Sequence, residues 1–315
     1  MLQNLKKTIW YKRHRAARKI NARPDHPEIL MIQTITMCNA ACSCCPYPGL
    51  TRAKAIPHGT MTDELFAKVV DEARGFDLKR VAPYWNNEPF LDPKFLPRLE
   101  TLRRTFPKAV LHVSTNATKL EPDTWATVAN CMDRLHISAQ GGVTDRDSFE
   151  RNFLKVNYDK YRVNVEGFLT FLAKGNHRLK LDKIAVNNVI AFPSSQARQE
   201  EELYWHKYGV STNFGGFNSY FGTITIQPRR AGIAPGPIYG CADKDRPIQA
   251  MHVLHDGSCV LCCNDWTRTV IVGDASKDSL HDIWNSEAYR DQVAAIYSAK
   301  PCSNHMCCEC DLAIH

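Results

Sequence analysis

The feature that most restricts the fold is an alternation from Ile29 to about Phe192, in which short apolar runs take turns with stretches of helical periodicity. "ILMIQTITM" reads as a strand and "TDELFAKVVDEARG" as a helix, with Thr62 as its cap and Glu64 in its first turn. "KRVAPYW" is again a strand, and "DPKFLPRLETLRRTF" a helix with an acidic start and a basic finish. "AVLHVST" with "EPDTWATVANCM", and "RLHISAQ" with "DRDSFERNFLKV", repeat the unit. A helix through Phe168–Lys174, the strand "KIAVNNVIAF", the charged helix "QARQEEELYWHKYG" and a strand at "STNFGGF" follow. Such alternation demands parallel βα units joined by right-handed crossovers. About six units fit before residue 220, short of a closed eightfold barrel. The expected class is therefore α/β, a partial (β/α)6 TIM-like barrel.

Catalytic groups in such an array belong where strands end and loops begin. Four polar segments occupy those places: "CNAACSCC" after the first strand, "NNEP" after the second, "TNA" after the third and "SAQGG" after the fourth. Past residue 225 the texture changes. "QPRRAGIAPGPIYG" has the Pro/Gly content of a linker, "IQAMHVLHDGSCVLCCNDW" reads as a hairpin turning at Asp256-Gly257, and "SLHDIWNSEAYRDQVAAIY" reads as one helix before the tail "PCSNHMCCEC". The expected division is a helical extension over 1–28, the barrel over 29–225 and a small cysteine-rich domain over 226–315.

The thirteen cysteines are unevenly placed: four at 38–45, one at 131 and eight between 241 and 310. An even spread through small loops would mark a secreted, disulfide-stapled domain, whereas two separated groups point to metal centres in a reducing compartment, so a cytoplasmic location is expected. No apolar run approaches the roughly 18–20 residues of a membrane span, and no signal peptide pattern is present. Much of the formal charge of +7 sits in the first 23 residues, where Lys6, Lys7, Lys12, Arg13, Arg15, Arg18, Lys19 and Arg23 alternate with Leu5, Ile9, Trp10 and Ile20. This is a basic amphipathic helix. It reads either as a solvated helix packed across the end of the main domain or as a contact for phosphate, anionic lipid or an acidic partner. No nucleic-acid fold motif accompanies it, and no nucleic-acid partner is expected.

Cys38, Cys42 and Cys45 have the spacing C-x3-C-x2-C, with Cys44 as an extra thiol. Zinc commonly takes four ligands in paired C-x2-C knuckles. Three thiolates in one tight loop suit a four-iron cluster instead, holding three irons and leaving the fourth open for a cofactor. On spacing alone zinc stands as the alternative.

"CNAACSCC" at the end of a first strand, followed by the "EP" of "NNEP", resembles the radical S-adenosylmethionine superfamily. The resemblance implies a [4Fe–4S] cluster on Cys38, Cys42 and Cys45 whose open iron chelates S-adenosylmethionine, and a 5′-deoxyadenosyl radical that abstracts a substrate hydrogen. It puts Asn86, Asn87 and Glu88 in the family's "GGEP" place, where two asparagines depart from the usual glycines. It also implies cofactor contacts for Thr115 and Asn116 on the third strand and for Ser138 and Gln140 on the fourth. Cys44 stands where an aromatic residue often precedes the third cysteine, so Tyr47 is the candidate for the adenine contact.

The C-terminal cysteines resemble the superfamily's SPASM or shortened twitch appendages: Cys241, then Gly257 with four residues to Cys262, then Cys307-x2-Cys310. The implied ligands of an auxiliary [4Fe–4S] cluster are Cys241, Cys262, Cys307 and Cys310. A second auxiliary cluster using Cys259, Cys263, Cys302 and Cys308 remains open. Cys259, Cys263 and Cys308 are also candidate hydrogen donors for an epimerisation, the plain alternative being spare buried thiols.

Of the other residues, Cys131, His112 and His136 are expected in the core, His255 and Asp256 at the hairpin turn, and Asp265 with Arg229 or Arg230 toward the cavity. The leading expectation is an oxidation or epimerisation of a small polar metabolite, of sugar or aminocyclitol type, in natural-product biosynthesis. One electron donor such as flavodoxin or ferredoxin is implied. The alternatives are a ribosomal-peptide maturase that recognises its peptide through the basic helix, and a zinc-stabilised binding protein without catalysis.

Overall fold

A computed structural model of the chain describes residues 2–189, 194–215, 237–243, 245–297, 299 and 305–315. In chain order the elements are α1 (Leu2–Asn21), β1 (Ile29–Ile32), α2 (Tyr47–Arg52), α3 (Asp63–Glu72), β2 (Arg80–Ala82), α4 (Phe95–Thr105), β3 (Val110–Thr115), α5 (Pro122–Cys131), β4 (Arg134–Ser138), α6 (Arg146–Asn152) and α7 (Tyr158–Lys174). They continue with β5 (Ile184–Asn188), α8 (Ser195–His206), β6 (Ser211–Phe214), β7 (Ala250–Val253), β8 (Ser258–Val260), β9 (Ile271–Asp274), α9 (Leu280–Asn285) and α10 (Glu287–Tyr297). Two compact units result, both discontinuous in sequence: one from 31–62 and 79–217, the other from the described parts of 1–30, 63–78 and 218–315. Arg229, Arg230, Cys302 and residues 227–236 of the expected linker lie outside the described residues.

The first unit is the α/β partial barrel that the alternation implies. Strands β2 to β6 pair in parallel, each with the next, and β1 flanks β2. The register sets Arg80 beside Val110, His112 beside Arg134, Ser138 beside Asn187, and Asn187 beside Asn213. Because side chains alternate along a strand, this register sorts the sheet into two faces. Val81, Leu111, Val113, Leu135, Ile137, Ile184 and Val186 share one face and are fully buried. Arg80, His112, Ser114, Arg134, His136, Ser138, Asn187 and Asn213 share the other. A parallel sheet covered on both sides is ordinarily apolar throughout, and this sheet departs from that on one face.

Two of its helices differ from the sequence reading. α7 begins ten residues before Phe168 because the Asn157 side chain caps it, accepting a bond from Lys160 N–H, and it buries Tyr161, Val165, Phe168 and Leu172 along one side. In α8, Glu201 is fully buried inside a helix that reads as charged. Its carboxylate accepts from Val143 N–H at 2.8 Å, Thr144 N–H at 3.0 Å, Thr144 Oγ1 at 3.0 Å and Trp205 Nε1 at 2.6 Å, which ties α8 to the loop after β4.

In the second unit, β7 and β8 form the expected antiparallel hairpin, with Gly257 at φ +92° in its turn, and β9 adds a third antiparallel strand that the sequence does not announce. The C-terminal helix is broken in two at Ser286. That residue is extended (φ −61°, ψ 153°), and its Oγ accepts from Tyr289 N–H, so it caps α10. The basic helix α1 belongs to this unit. Ala16 is fully buried, Lys19 pairs with Asp245 at 2.6 Å, and the Arg23 guanidinium lies 4.1 Å from the Trp284 ring centre and 4.9 Å from that of Tyr289. Among the described residues no helix is long and apolar enough to cross a membrane.

Candidate functional site

The three-cysteine loop leaves β1 and is fastened on two sides. Met37 C=O accepts from Glu88 N–H at 2.9 Å, which joins the loop to the segment after β2. Ala41 N–H and Ser43 N–H donate to the carbonyls of Leu154 and Asn152, at the end of α6. Inside the loop, Tyr47 turns its hydroxyl back to accept from Cys38 N–H at 3.1 Å. The ring expected to meet an adenine thus braces the cysteine loop through its oxygen.

Glu88 is the hub. It is 1% exposed and accepts from Thr115 Oγ1 at 2.7 Å, Asn116 N–H at 2.6 Å and Phe90 N–H at 3.2 Å. Burial outweighs these bonds and pushes its carboxyl up to about 7. Asn116, held by Glu88 through its backbone, donates from Nδ2 to Asn39 Oδ1 at 2.8 Å and lies 3.8 Å from Cys38 Sγ. Asn39 in turn donates to Thr118 Oγ1 at 2.8 Å. Neither Asn39 nor Thr118 stands out in the sequence; each becomes visible only once β3 is set against the loop.

Asn86 accepts from Gln33 Nε2, and Asn87 Oδ1 accepts from Trp85 N–H at 2.8 Å. Asn87 Nδ2 is buried with no hydrogen-bond partner among the described residues. After β4, Gln140 Oε1 accepts from Val189 N–H at 3.0 Å, and the Asn188 side chain, 1% exposed, accepts from Gly141 N–H at 3.3 Å. Ser138 gives its carbonyl to Tyr161 Oη at 2.9 Å and sets its side chain on the polar face of the sheet.

The loop thiols resist ionisation on their own. Burial pushes Cys38 and Cys44 up to about 11 and Cys45 up to about 12, and it raises Cys42 well above the usual thiol range, with the neighbouring thiols adding to the effect. Buried thiols that disfavour one another's charge need a bound cation to become thiolates together. The donor set of Cys38, Cys42 and Cys45, with an amide 3.8 Å from one sulfur, fits an iron–sulfur cluster in this respect.

The second thiol group lies in the other unit. Residues 239–242 pair with the tail: Tyr239 N–H donates to Ile314 C=O at 2.7 Å, Ala242 N–H to Leu312 C=O at 2.8 Å, and Cys241 bridges to Ala313. Cys241, Cys307 and Cys310 are thereby drawn together. Burial raises all three; Cys310 and Cys241 add to the effect on Cys307, and Cys241 adds to that on Cys310. Backbone N–H groups face two sulfurs: Asn264 to Cys262 Sγ at 3.5 Å and Leu312 to Cys310 Sγ at 3.4 Å. Such donors suit sulfurs that carry negative charge on iron.

The remaining thiols divide. Cys262 donates toward Cys263, raising itself and lowering its neighbour, and the Arg246 guanidinium donates to Cys263 Sγ. Cys259 is fully buried in β8, faces the Gly257 carbonyl at 3.7 Å, and is pushed up to about 12. Cys308 is disulfide-bonded and so offers no free thiol in this structure. Asp265, expected toward the cavity, is fully buried instead and accepts from Thr269 N–H, Thr269 Oγ1 and Val270 N–H, because it closes the turn that follows Cys262. Asp256 pairs with Arg268 at 2.6 Å beside the hairpin turn. Among the described residues, no three His, Cys, Asp or Glu side chains close around a single-ion position.

Comparison with known proteins follows this division. Residues 241–311 match the SPASM iron–sulfur cluster-binding domain. No curated protein sequence matches the chain. Among solved structures it is similar to BtrN in complex with AdoMet and 2-DOIA, at 13% identity over 90% of this chain and 92% of that one, with a TM-score of 0.62. It is similar to Streptococcus suis SuiB bound to precursor peptide SuiA, at 13% identity over 98% and 74%, with a TM-score of 0.66. A third is anSMEcpe with bound AdoMet, at 13% identity over 84% and 82%, with a TM-score of 0.61. At such identities the likeness is one of fold. The chain has the fold of radical S-adenosylmethionine enzymes, with a SPASM-type domain at its C-terminal end.

Proposed function

We propose that this chain is a radical S-adenosylmethionine enzyme that abstracts a hydrogen from a small polar metabolite, of sugar or aminocyclitol type, with oxidation or epimerisation as the outcome. In this reading Cys38, Cys42 and Cys45 hold the first [4Fe–4S] cluster, and Cys241, Cys262, Cys307 and Cys310 hold an auxiliary one. The observation that carries it is the fastening of the three-cysteine loop to Glu88, whose carboxylate is itself gripped by Thr115 and Asn116. Bound together, cluster and S-adenosylmethionine supply a carbon radical capable of taking an unactivated hydrogen.

The chain's own residues have the tasks of holding and shielding. Glu88 locks the loop to β3, so the three sulfurs keep one spacing. Asn87 Nδ2 offers a buried donor where a glycine would offer none, suited to a ligand carboxylate. Gly141 lets the backbone after β4 pass close to α6, which keeps the Ser138–Gln140 segment at the strand ends. An external one-electron donor of the flavodoxin or ferredoxin kind is part of the proposal.

The test is anaerobic reconstitution, reduction with dithionite and chromatographic detection of 5′-deoxyadenosine. The expected result is its release by the wild type and its loss in Cys42→Ser. Absence of iron and sulfide after reconstitution, with zinc retained, would establish the binding-protein alternative. Turnover in deuterated water separates the two outcomes: solvent deuterium in the product marks epimerisation, and loss of a hydrogen pair marks oxidation.

A peptide substrate is the second reading, favoured by the likeness to SuiB, which was solved with its precursor peptide. Arg13, Arg15 and Arg18 are exposed on α1, whereas Lys19 and Arg23 are engaged in packing. Replacing those three by alanine should weaken peptide binding if recognition lies there.

A further inference from the structure

We infer that the polar face of the barrel sheet is an oxyanion site, formed by Arg80, His112, Arg134 and His136, which selects a substrate bearing a carboxylate or phosphate. The register places it. β3 carries His112, flanked on β2 by Arg80, which is level with Val110, and on β4 by Arg134, which is level with His112 itself. Adjacent strands stand about 4.8 Å apart, so two guanidiniums on long side chains reach the space above the central strand.

The imidazoles of His112 and His136 meet edge to face, 4.2 Å between centres, and Tyr84 packs on His112 at 5.4 Å. His112 is 6% exposed, and its Nε2 has no hydrogen-bond partner among the described residues. Among the described residues Arg80 and Arg134 make no ion pair, and Arg80 Nε is buried without a hydrogen-bond partner. A core histidine is ordinarily satisfied, and a half-buried arginine ordinarily finds an acid. On this face neither holds.

The field has one sign. Burial, then His136, Arg80 and Arg134, lower His112 to about 3, and burial with the same arginines lowers His136; no acid counters them. Among the described strand residues no Asp or Glu shares the face. Neutral imidazoles keep one N–H donor each, and two guanidiniums supply positive charge, which together complement an oxyanion and repel an ammonium. This narrows the proposed class of small polar metabolites to its acidic or phosphorylated sugars and away from its amine-bearing aminocyclitols.

Assigning this site to the substrate rests on the radical-enzyme reading; the site itself requires no cluster. The experiment is a titration of the reconstituted full chain, carrying 13C-labelled histidine and held in the oxidised cluster state, with inorganic phosphate, acetate and methylammonium in turn at constant ionic strength. Resonances are assigned through His112→Gln and His136→Gln. The expected result is a saturable shift of both histidines with phosphate or acetate, the better anion naming the class. Arg80→Gln and the more exposed Arg134→Gln should each weaken the response by about tenfold, as for the loss of one charge-assisted bond. No saturable response to either anion, a response that survives in both arginine variants, or saturation by methylammonium would overturn the site. The same preparation is assayed for 5′-deoxyadenosine. Its absence counts against the radical reading and leaves the oxyanion site standing, whereas its formation beside silent histidines overturns the site alone.

Discussion

Glu88 sits where a negative charge is hardest to keep, and three hydrogen bonds do not offset the loss of water: its carboxyl rises from 4.5 to about 7. A folded-state value above the unfolded one means that the folded chain binds the proton more tightly. Stability from this group is complete below about pH 4.5 and is lost as pH rises through 7. The expected loss across that window is on the order of 3 kcal/mol. Glu88→Gln, neutral throughout, should flatten that part of the pH dependence, although its amide turns an N–H toward one of three donors and costs about 1–3 kcal/mol in the neutral range. Denaturant unfolding of the reduced, metal-free chain at pH 5 and pH 8 checks both; equal slopes in the two proteins would place the proton elsewhere. "NNEP" marks Glu88 in the sequence, but not its partners. Thr115 and Asn116 stand 27 and 28 positions away, and only the parallel register of β3 brings them to it.

At the scale of elements, local chemistry was legible and partnership was not. The strand–helix order, the hairpin at Gly257 and the amphipathic α1 follow from periodicity and turn residues. The break at Ser286 does not, because the apolar period runs on through "IWNSEAY" while a single hydroxyl caps a new helix. The same limit hides what α1 packs on: hydropathy shows a face, not its partner. Arg23 lies over two aromatic rings and donates to Trp284 C=O, and Trp284 Nε1 donates to Pro24 C=O at 2.9 Å. Arg23→Ala should destabilise the C-terminal unit by about 2 kcal/mol, with faster amide exchange in α9 and α10 and little change in β3 to β5. The loop after β4 is a sterner case. Gly141 has φ +89°, and a Cβ there would stand 2.3 Å from Ser148 C=O. Gly141→Ala combines a disfavoured backbone with a clash against the first turn of α6, and a loss of about 3 kcal/mol in unfolding free energy is expected.

The whole molecule carries its thiols in two units that the chain enters more than once, since 1–30 and 63–78 cluster with the C-terminal segment and not with their sequence neighbours. A linear reading sees the two cysteine groups but cannot see that interleaving, which depends on α3 giving Lys68 to the carbonyls of Ala275 and Asp278 and Glu72 to Leu280 N–H. Each thiol group is supported by hydrogen bonds within its own unit: the loop by Glu88, Asn152 and Tyr47, the tail by the pairing of 239–242 with 312–314. Support found inside each unit predicts independent loading. Reconstituted wild type should hold roughly eight irons per chain as two four-iron clusters. The triple change Cys38→Ala, Cys42→Ala, Cys45→Ala should leave roughly four, with cleavage of S-adenosylmethionine abolished. Cys307→Ala with Cys310→Ala should also leave roughly four, but now with 5′-deoxyadenosine still formed under dithionite in the absence of substrate. Iron and sulfide analysis with electron paramagnetic resonance of each reduced variant measures this directly. Loss of both signals from either set of changes would mean that one unit folds only around the other's metal, and independence would be wrong.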